Sequence, residues 1–160
     1  MEFRTARHAA RGFTLIELMI VVVIGTILLG IAVPSYMSQI RKSRRTEART
    51  ALLDLAGREE RYFSTSVNGA NYSANPADLG LAGAWPVVVG SGYYNVTVTA
   101  CAVGANCGPN GIPGPSFVIV ANPVAGQTQV NDVECTSFSV DSVGSQFATG
   151  SQTIPYCWGN

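Results

Sequence analysis

The feature that most constrains this chain is an apolar run, Phe13 to Val33, that carries a single charged side chain, Glu17. Its length of about 20 residues is what a helix needs to cross a bilayer. After Glu17 the run contains no charge, and Thr26 is its one polar side chain. An ionisable group inside such a span costs roughly 2.5–3.5 kcal/mol on insertion scales. Glu17 therefore needs either a partner or a function.

The sequence Gly12-Phe13-Thr14-Leu15-Ile16-Glu17 follows a basic leader, and the small residue lies before the apolar run, unlike an ordinary secretory signal. This segment resembles the class III signal of type IV pilins and their relatives. The resemblance implies that a prepilin peptidase cuts after Gly12 and that the new amino-terminal residue, Phe13, is N-methylated. It also implies that Glu17 serves filament assembly.

Cleavage after Gly12 would place a positively charged amine on Phe13, one helical turn before Glu17. In a stack of identical helices, the carboxylate of one subunit can pair with the amine of its neighbour. A buried pair costs much less than a buried single charge, so this pairing favours one axial register. The alternative is an uncleaved signal anchor in which Glu17 is a protonated residue without a role.

The chain divides into four segments. We expect a leader at residues 1–12, a transmembrane and assembly half of a long helix at 13–33, an amphipathic half at 34–63, and a globular β head with disulfides at 64–160. Pro34 removes a backbone hydrogen bond and should kink or locally melt the helix. Beyond Pro34, apolar residues recur three and four positions apart, which predicts a helix face that covers a sheet. This apolar stripe includes Ala48, Ala51, Leu52, Leu55, Ala56, Tyr62 and Phe63.

A basic cluster, Arg41-Lys42-Ser43-Arg44-Arg45, follows the apolar run. One hypothesis is a solvated collar at the lipid headgroups. The other is that the cluster pairs between subunits of a fibre with acids such as Glu47, Glu59 or Glu60. Because the leader is also basic, the positive-inside rule does not orient the span by itself. The cysteines beyond the span, together with the resemblance, place the carboxy-terminal part outside the cytoplasm.

The carboxy-terminal part shows the alternation of strands. We expect strands at Tyr93–Val103, Phe117–Ala121, Cys135–Val140 and Ser145–Thr149, with Ser64–Gly92 as a loop. The Gly/Pro-rich residues 108–115 should form a rigid loop. A long helix laid across a small antiparallel sheet is an α+β arrangement, and the resemblance implies that it is the type IV pilin fold.

Four cysteines, all in the carboxy-terminal half, favour disulfides in an oxidising compartment. They allow three pairings. We favour Cys101–Cys107 as a local loop and Cys135–Cys157 as a clamp on the carboxy terminus, but the sequence alone does not fix them. The second pair resembles the terminal disulfide-bonded region of pilins. Because the spacing is not that of a zinc site and the one histidine, His8, lies in the leader, we expect no metal and no cofactor.

Charge is distributed unevenly along the chain. All ten Lys and Arg residues lie at or before Arg61, and the part beyond it carries four acids. Nucleic-acid binding requires basic side chains that contact phosphates, so we expect no nucleic-acid partner. No catalytic constellation is present; Asp132 and Glu134, close in sequence, are either solvated or part of a cation site. We therefore predict that the chain is not an enzyme.

The resemblance to type IV pilins implies a structural subunit, most similar to PilE-type minor pilins, that serves pilus biogenesis, twitching motility and adhesion. The expected partners are other pilin subunits, the prepilin peptidase and the inner-membrane assembly platform. Before assembly the chain would lie in the bacterial inner membrane as a single-pass protein with a periplasmic head, and afterwards in a pilus at the cell surface. The alternatives are a type II secretion pseudopilin and, disfavoured by the charge distribution, a DNA-uptake pilin.

Overall fold

The structure is a computed structural model that describes residues 12–65, 71–108 and 111–159. The chain forms two compact units, Met1–Gln39 and Ile40–Asn160. A long helix, α1 (Leu15–Thr65), contributes to both units. The predictions that concern the leader before Gly12 fall outside the described residues.

In the first unit, α1 begins after Thr14, whose hydroxyl oxygen accepts a hydrogen bond from the backbone N–H of Glu17 at 3.3 Å. The Thr26 hydroxyl donates to the carbonyl of Val22 at 2.7 Å, so this polar group is satisfied within its own helix. Helical backbone continues through Pro34. The prediction of local melting at Pro34 is therefore wrong, because the helix continues on both sides of the proline. The predicted kink remains a prediction.

In the second unit, one face of α1 is buried. Its buried residues are spaced three and four apart, as the apolar stripe predicted: Arg45, Ala48, Leu52, Leu55 and Glu59. The middle three are apolar and belong to the hydrophobic core with the sheet. The two ends of the face are charged, which the sequence analysis did not anticipate.

The strands of the main sheet are β1 (Val87–Val89), β2 (Tyr94–Cys101), β5 (Ser116–Pro123), β6 (Ser137–Asp141) and β7 (Gln146–Thr149). All neighbours pair antiparallel, in the order β1-β2-β5-β6-β7. Ile119 lies opposite Val98 on one side and Val140 on the other. All three side chains are buried, so this register places one continuous apolar face in the core. The predicted α+β class is confirmed.

Several short elements were missed. The strand β1 lies in a stretch predicted to be a loop. A two-stranded sheet pairs β3 (Asn106–Cys107) with β4 (Ile112–Pro113), and β4 lies in the predicted rigid loop at 108–115. A short helix, α2 (Ile154–Trp158), follows β7. Elements this short give only a weak periodic signal, although β6 and β7, of five and four residues, were predicted. Two 3-10 helices, Pro76–Leu79 and Thr128–Asn131, complete the described elements.

Candidate functional site

The predicted processing and assembly residues lie at the start of α1. Gly12 and Phe13 precede the helix, and Phe13 is 79% exposed. Glu17 lies in the first helical turn, where the helix dipole favours a negative side chain. The hydrogen bond from the Glu17 backbone N–H to the Thr14 hydroxyl is one of the two hydrogen bonds of a capping box. The Thr-x-x-Glu spacing of this motif could have been recognised in the sequence.

The apolar residues after Glu17 are exposed within the unit; Leu18, Val21 and Leu28, for example, are each more than half exposed. By length and composition, α1 is the one helix among the described residues that could cross a membrane. An apolar surface of this extent requires lipid or another apolar surface to cover it. The segment is therefore consistent with membrane anchoring.

The head contains a buried ion cluster that the sequence analysis did not assign. Arg45 donates from Nε and Nη2 to the two carboxylate oxygens of Asp132, at 2.7 and 2.6 Å, and from Nη2 to Glu134 at 2.6 Å. Asp132 is 1% exposed. The hydrogen bonds that Arg45 donates to Asp132 raise the pKa of Arg45, although burial opposes this, and the hydrogen bond that Arg45 donates to Glu134 lowers the pKa of Glu134.

This cluster corrects two expectations. Asp132 is neither solvated nor free to hold a cation, because its oxygens accept from Arg45 and from the Gln129 amide at 2.8 Å. Arg45 is not part of a solvated collar, since its charge is neutralised inside the head. In the described part of the chain, no group of three or more His, Cys, Asp or Glu side chains could hold a metal ion. The cluster joins α1 to the segment before β6, which is a structural role.

The other end of the buried face of α1 carries Glu59, which is 0% exposed. One carboxyl oxygen accepts from the Ser73 N–H at 3.0 Å, and the other has no partner among the described residues. Burial raises its pKa to about 7; the bond from Ser73 opposes this shift, and the nearby charges of Glu60 and Asp78 add to it. Glu59 therefore cannot be an intersubunit partner of the basic cluster.

The other acids proposed as intersubunit partners have contacts inside the head. Glu47 accepts from the backbone N–H and the hydroxyl of Ser91, both at 3.0 Å. Glu60 accepts from the Tyr72 hydroxyl at 3.0 Å. Arg44 stacks on the Tyr93 ring at 3.5 Å. Pairing of Glu47 or Glu60 between subunits stays a prediction.

The four cysteines form two disulfides, Cys101–Cys107 and Cys135–Cys157, the pairing favoured on the sequence. Beside the second bridge, Arg49 of α1 donates to the backbone carbonyl of Trp158. The Trp158 indole N–H donates to the carbonyl of Phe147 at 2.9 Å. The end of the described chain is thus attached both to α1 and to β7.

The periodicity contained a signal for the two buried charges. Arg45 and Glu59 continue the spacing of Ala48, Leu52 and Leu55 by three or four residues at either end. If every position with this spacing had been assigned to the core, whatever its residue type, both charged residues would have been predicted to be buried. Their partners were not predictable because no local pattern links Arg45 to Asp132, 87 residues away, or Glu59 to the backbone N–H of Ser73, 14 residues away in a loop.

Two protein families match adjoining parts of this chain. Residues 34–139, well over half of the chain, match the family described as "Type IV minor pilin ComP, DNA uptake sequence receptor". Residues 7–33 match the prokaryotic N-terminal methylation motif. The second match covers the apolar run and the segment that resembled a class III signal.

Individual relatives are pilins. The chain is 35% identical over 100 residues to the fimbrial protein EcpC of Eikenella corrodens, across 62% of this chain and 60% of that protein. It is 48% identical over 54 residues to the type IV major pilin protein PilA of Myxococcus xanthus, across 34% of this chain and 24% of PilA.

A solved structure, the non-core minor pilin PilV of Neisseria meningitidis, is similar with 25% identity and a TM-score of 0.43, over 74% of this chain and 96% of that one. The chain spans less than two thirds of the length of either curated relative. From the two family matches, which adjoin and together run from residue 7 to residue 139, this chain belongs to the type IV pilins, with a minor-pilin domain after its N-terminal methylation motif.

Proposed function

We propose that this pilin is a structural subunit that assembles into a filament through the amino-terminal half of α1. The observation that carries the proposal is a lone carboxylate, Glu17, in the first turn of an exposed apolar helix, one turn after the expected cleavage point. After cleavage, the amine of Phe13 in a neighbouring subunit would neutralise it. The same apolar surface would be covered first by lipid and then by other subunits.

In this proposal the prepilin peptidase acts at Gly12 and Phe13, and the peptide bond there is accessible because Gly12 is exposed. Before assembly, the chain lies in the inner membrane with its disulfide-bonded head in the periplasm. Assembly by the inner-membrane platform moves it into a pilus at the cell surface. The pilus would serve twitching motility and adhesion. A type II secretion pseudopilus would use the same helix chemistry, but its subunits would stay with the cell when surface pili are sheared off.

The test replaces Glu17 with glutamine and with alanine. We expect both variants to insert in the membrane and fold normally but to be depleted from sheared filaments, because the amine of the neighbour loses its counter-charge. Quantitative mass spectrometry of sheared filaments and of membranes measures the ratio of filament-incorporated subunit to membrane-bound subunit for each variant.

The matched control is Thr26→Ala, which removes the one polar side chain of the apolar run beyond Glu17. Its hydroxyl donates only to carbonyls of its own helix, so we expect normal incorporation. Normal incorporation of the Glu17 variants would remove the assembly role. Absence of the wild-type chain from sheared filaments, with a defect in protein secretion, would favour the pseudopilin.

A second candidate function is DNA binding during uptake, favoured by the family match over residues 34–139. The charge distribution opposes it, since the sequence has no Lys or Arg after Arg61. Any phosphate contact by a basic side chain of the head must therefore come from α1. Fluorescence anisotropy of the full chain in detergent with a labelled duplex tests this. Binding that falls steeply with salt would support the candidate, and no binding at about 50 mM salt would exclude it.

A further inference from the structure

One flank of α1 carries positive charge that the head does not neutralise. Lys42 and Arg49 lie seven residues apart, about two helical turns, on the same side of the helix. Lys42 is exposed, and its ammonium group has no hydrogen bond or ion pair with any described residue; its backbone carbonyl accepts from the Thr46 hydroxyl at 3.2 Å. Three ammonium donors are therefore free to bind a ligand.

Among the described residues, Arg49 is bonded to neutral groups only. It donates to the backbone carbonyl of Trp158 and, at 2.7 Å, to the hydroxyl of Thr46. Burial lowers its pKa, and the positive charge of Arg45 lowers it further. Within the described part of the chain, Arg49 is thus a half-buried cation with no counter-charge bonded to it, while Arg45 beside it is neutralised by Asp132 and Glu134.

A pocket of about 230 Å³ lies between α1 and α2, and its lining includes Lys42, Arg45, Thr46, Arg49 and Tyr156. This volume equals that of several water molecules, at about 30 Å³ each. It is smaller than the roughly 300–1,000 Å³ of pockets for drug-sized ligands. The pocket therefore suits one small group and not an extended molecule.

We propose that this pocket, defined by Lys42 and Arg49, is a binding site for a single phosphate group. An ammonium and a guanidinium are the two side-chain cations that bind phosphate, the first as a point charge and the second as a fork of donors. A phosphate offers three terminal oxygens to these two cations. The site goes beyond filament assembly through Glu17 and Phe13, because it lies in the second unit and uses neither of those residues.

The experiment titrates the full chain in a non-ionic detergent with pyrophosphate and with glycerol phosphate, at about pH 7 and constant ionic strength, by isothermal titration calorimetry. We expect saturable binding. Lys42→Gln should weaken it about tenfold, as expected for loss of one charge-assisted hydrogen bond. Arg49→Lys keeps the charge and a donor for the Trp158 carbonyl, and should weaken binding less than Arg49→Gln.

The matched control is Arg61→Gln, which removes the same charge from the same helix about 28 Å further along at 1.5 Å per residue. It should leave binding within about twofold. Absence of saturable binding by the wild-type chain would overturn the proposal, as would equal weakening by Arg61→Gln and Lys42→Gln. In the second case net charge, and not the pocket, would explain the binding.

Two further arms identify the source of the phosphate. If pyrophosphate displaces a labelled duplex from the chain, the site binds the nucleic-acid backbone. If pyrophosphate displaces the chain from vesicles of phosphatidylglycerol, the site binds a lipid headgroup. Binding of pyrophosphate without either displacement supports a free phosphate compound as ligand. Because pyrophosphate binding is measured independently of DNA, failure of the DNA-binding candidate leaves this site intact and testable.

Discussion

Replacing Glu59 with glutamine is expected to make the head more stable above about pH 7 and to change its stability little near pH 4.5. Glu59 is 0% exposed, and burial raises its pKa from 4.5 to about 7. Glutamine has nearly the same shape, and its carbonyl oxygen can keep the hydrogen bond from the Ser73 N–H. The substitution therefore removes the ionisation and little else.

The sign follows from proton linkage. Between pH 4.5 and about 7 the folded chain keeps a proton on Glu59 that the unfolded chain has lost, so the free energy of unfolding falls as pH rises. The fall is about 1.4 kcal/mol for each pH unit and totals about 3 kcal/mol once the pH exceeds 7. For a protein whose whole stability is roughly 5–15 kcal/mol this is a large fraction. The glutamine variant lacks this loss.

The assay is urea denaturation of the full chain in detergent, followed through tryptophan fluorescence, because Trp158 is buried in the head core. Unfolding free energies are compared between wild type and Glu59→Gln from about pH 4.5 to 8.5. Glu47→Gln, on the same helix, controls for the loss of one negative charge. A difference that does not depend on pH, or a glutamine variant less stable than wild type at pH 8, would refute the argument.

Three further predictions concern folding and processing. Asp132→Ala should lower the unfolding free energy by about 3–5 kcal/mol, because it leaves Arg45 buried beside one partner; urea titration measures this, and a change no larger than that of Val133→Ala, at the exposed neighbour, would contradict it. Cys157→Ser should cost about 3 kcal/mol by opening the bridge to Cys135, and an unchanged melting temperature would mean that the bridge contributes nothing. Replacing Gly12 with a bulky residue should cause the uncleaved precursor to accumulate, as intact-mass analysis would show, whereas efficient trimming would contradict the cleavage assignment.

The longer elements could be predicted from sequence because their periodicity is strong. The alternation of Tyr94, Val96 and Val98 predicted the buried face of β2, and all three are buried. The spacing of Ala48, Leu52 and Leu55 predicted the buried face of α1 in the same way. The strand β1 was missed because its three consecutive valines neither alternate nor extend far enough to be distinguished from a loop.

The ion cluster could not be predicted for a different reason. Arg45 and Asp132 are 87 residues apart, and no local pattern links them. Arg45 was grouped with its neighbours in a basic cluster, although the structure separates them: Arg45 is buried, Arg44 stacks on Tyr93, and Lys42 is exposed. A run of like charges on a helix turns by about 100° per residue, so adjacent members face different surroundings. Charge runs therefore have to be divided by helical position before a role is assigned.

The same reasoning connects the three charges that this helix carries in apolar surroundings. The desolvation of Arg45 is offset by an ion pair with a buried carboxylate of its own chain, Asp132. Glu59 has one neutral donor and two acids nearby, so its burial is accommodated by a raised pKa, which keeps the carboxyl group protonated up to about pH 7. The described residues of the first unit, 12–39, contain no Lys, Arg or His. Under the proposed cleavage after Gly12, the amine of Phe13 is therefore the one cation that this part of the chain would offer to Glu17. If the amine of a neighbouring subunit supplies this cation, Glu17→Gln should leave the unassembled chain unaffected and act only on assembly, which distinguishes it from every substitution at Arg45 or Glu59.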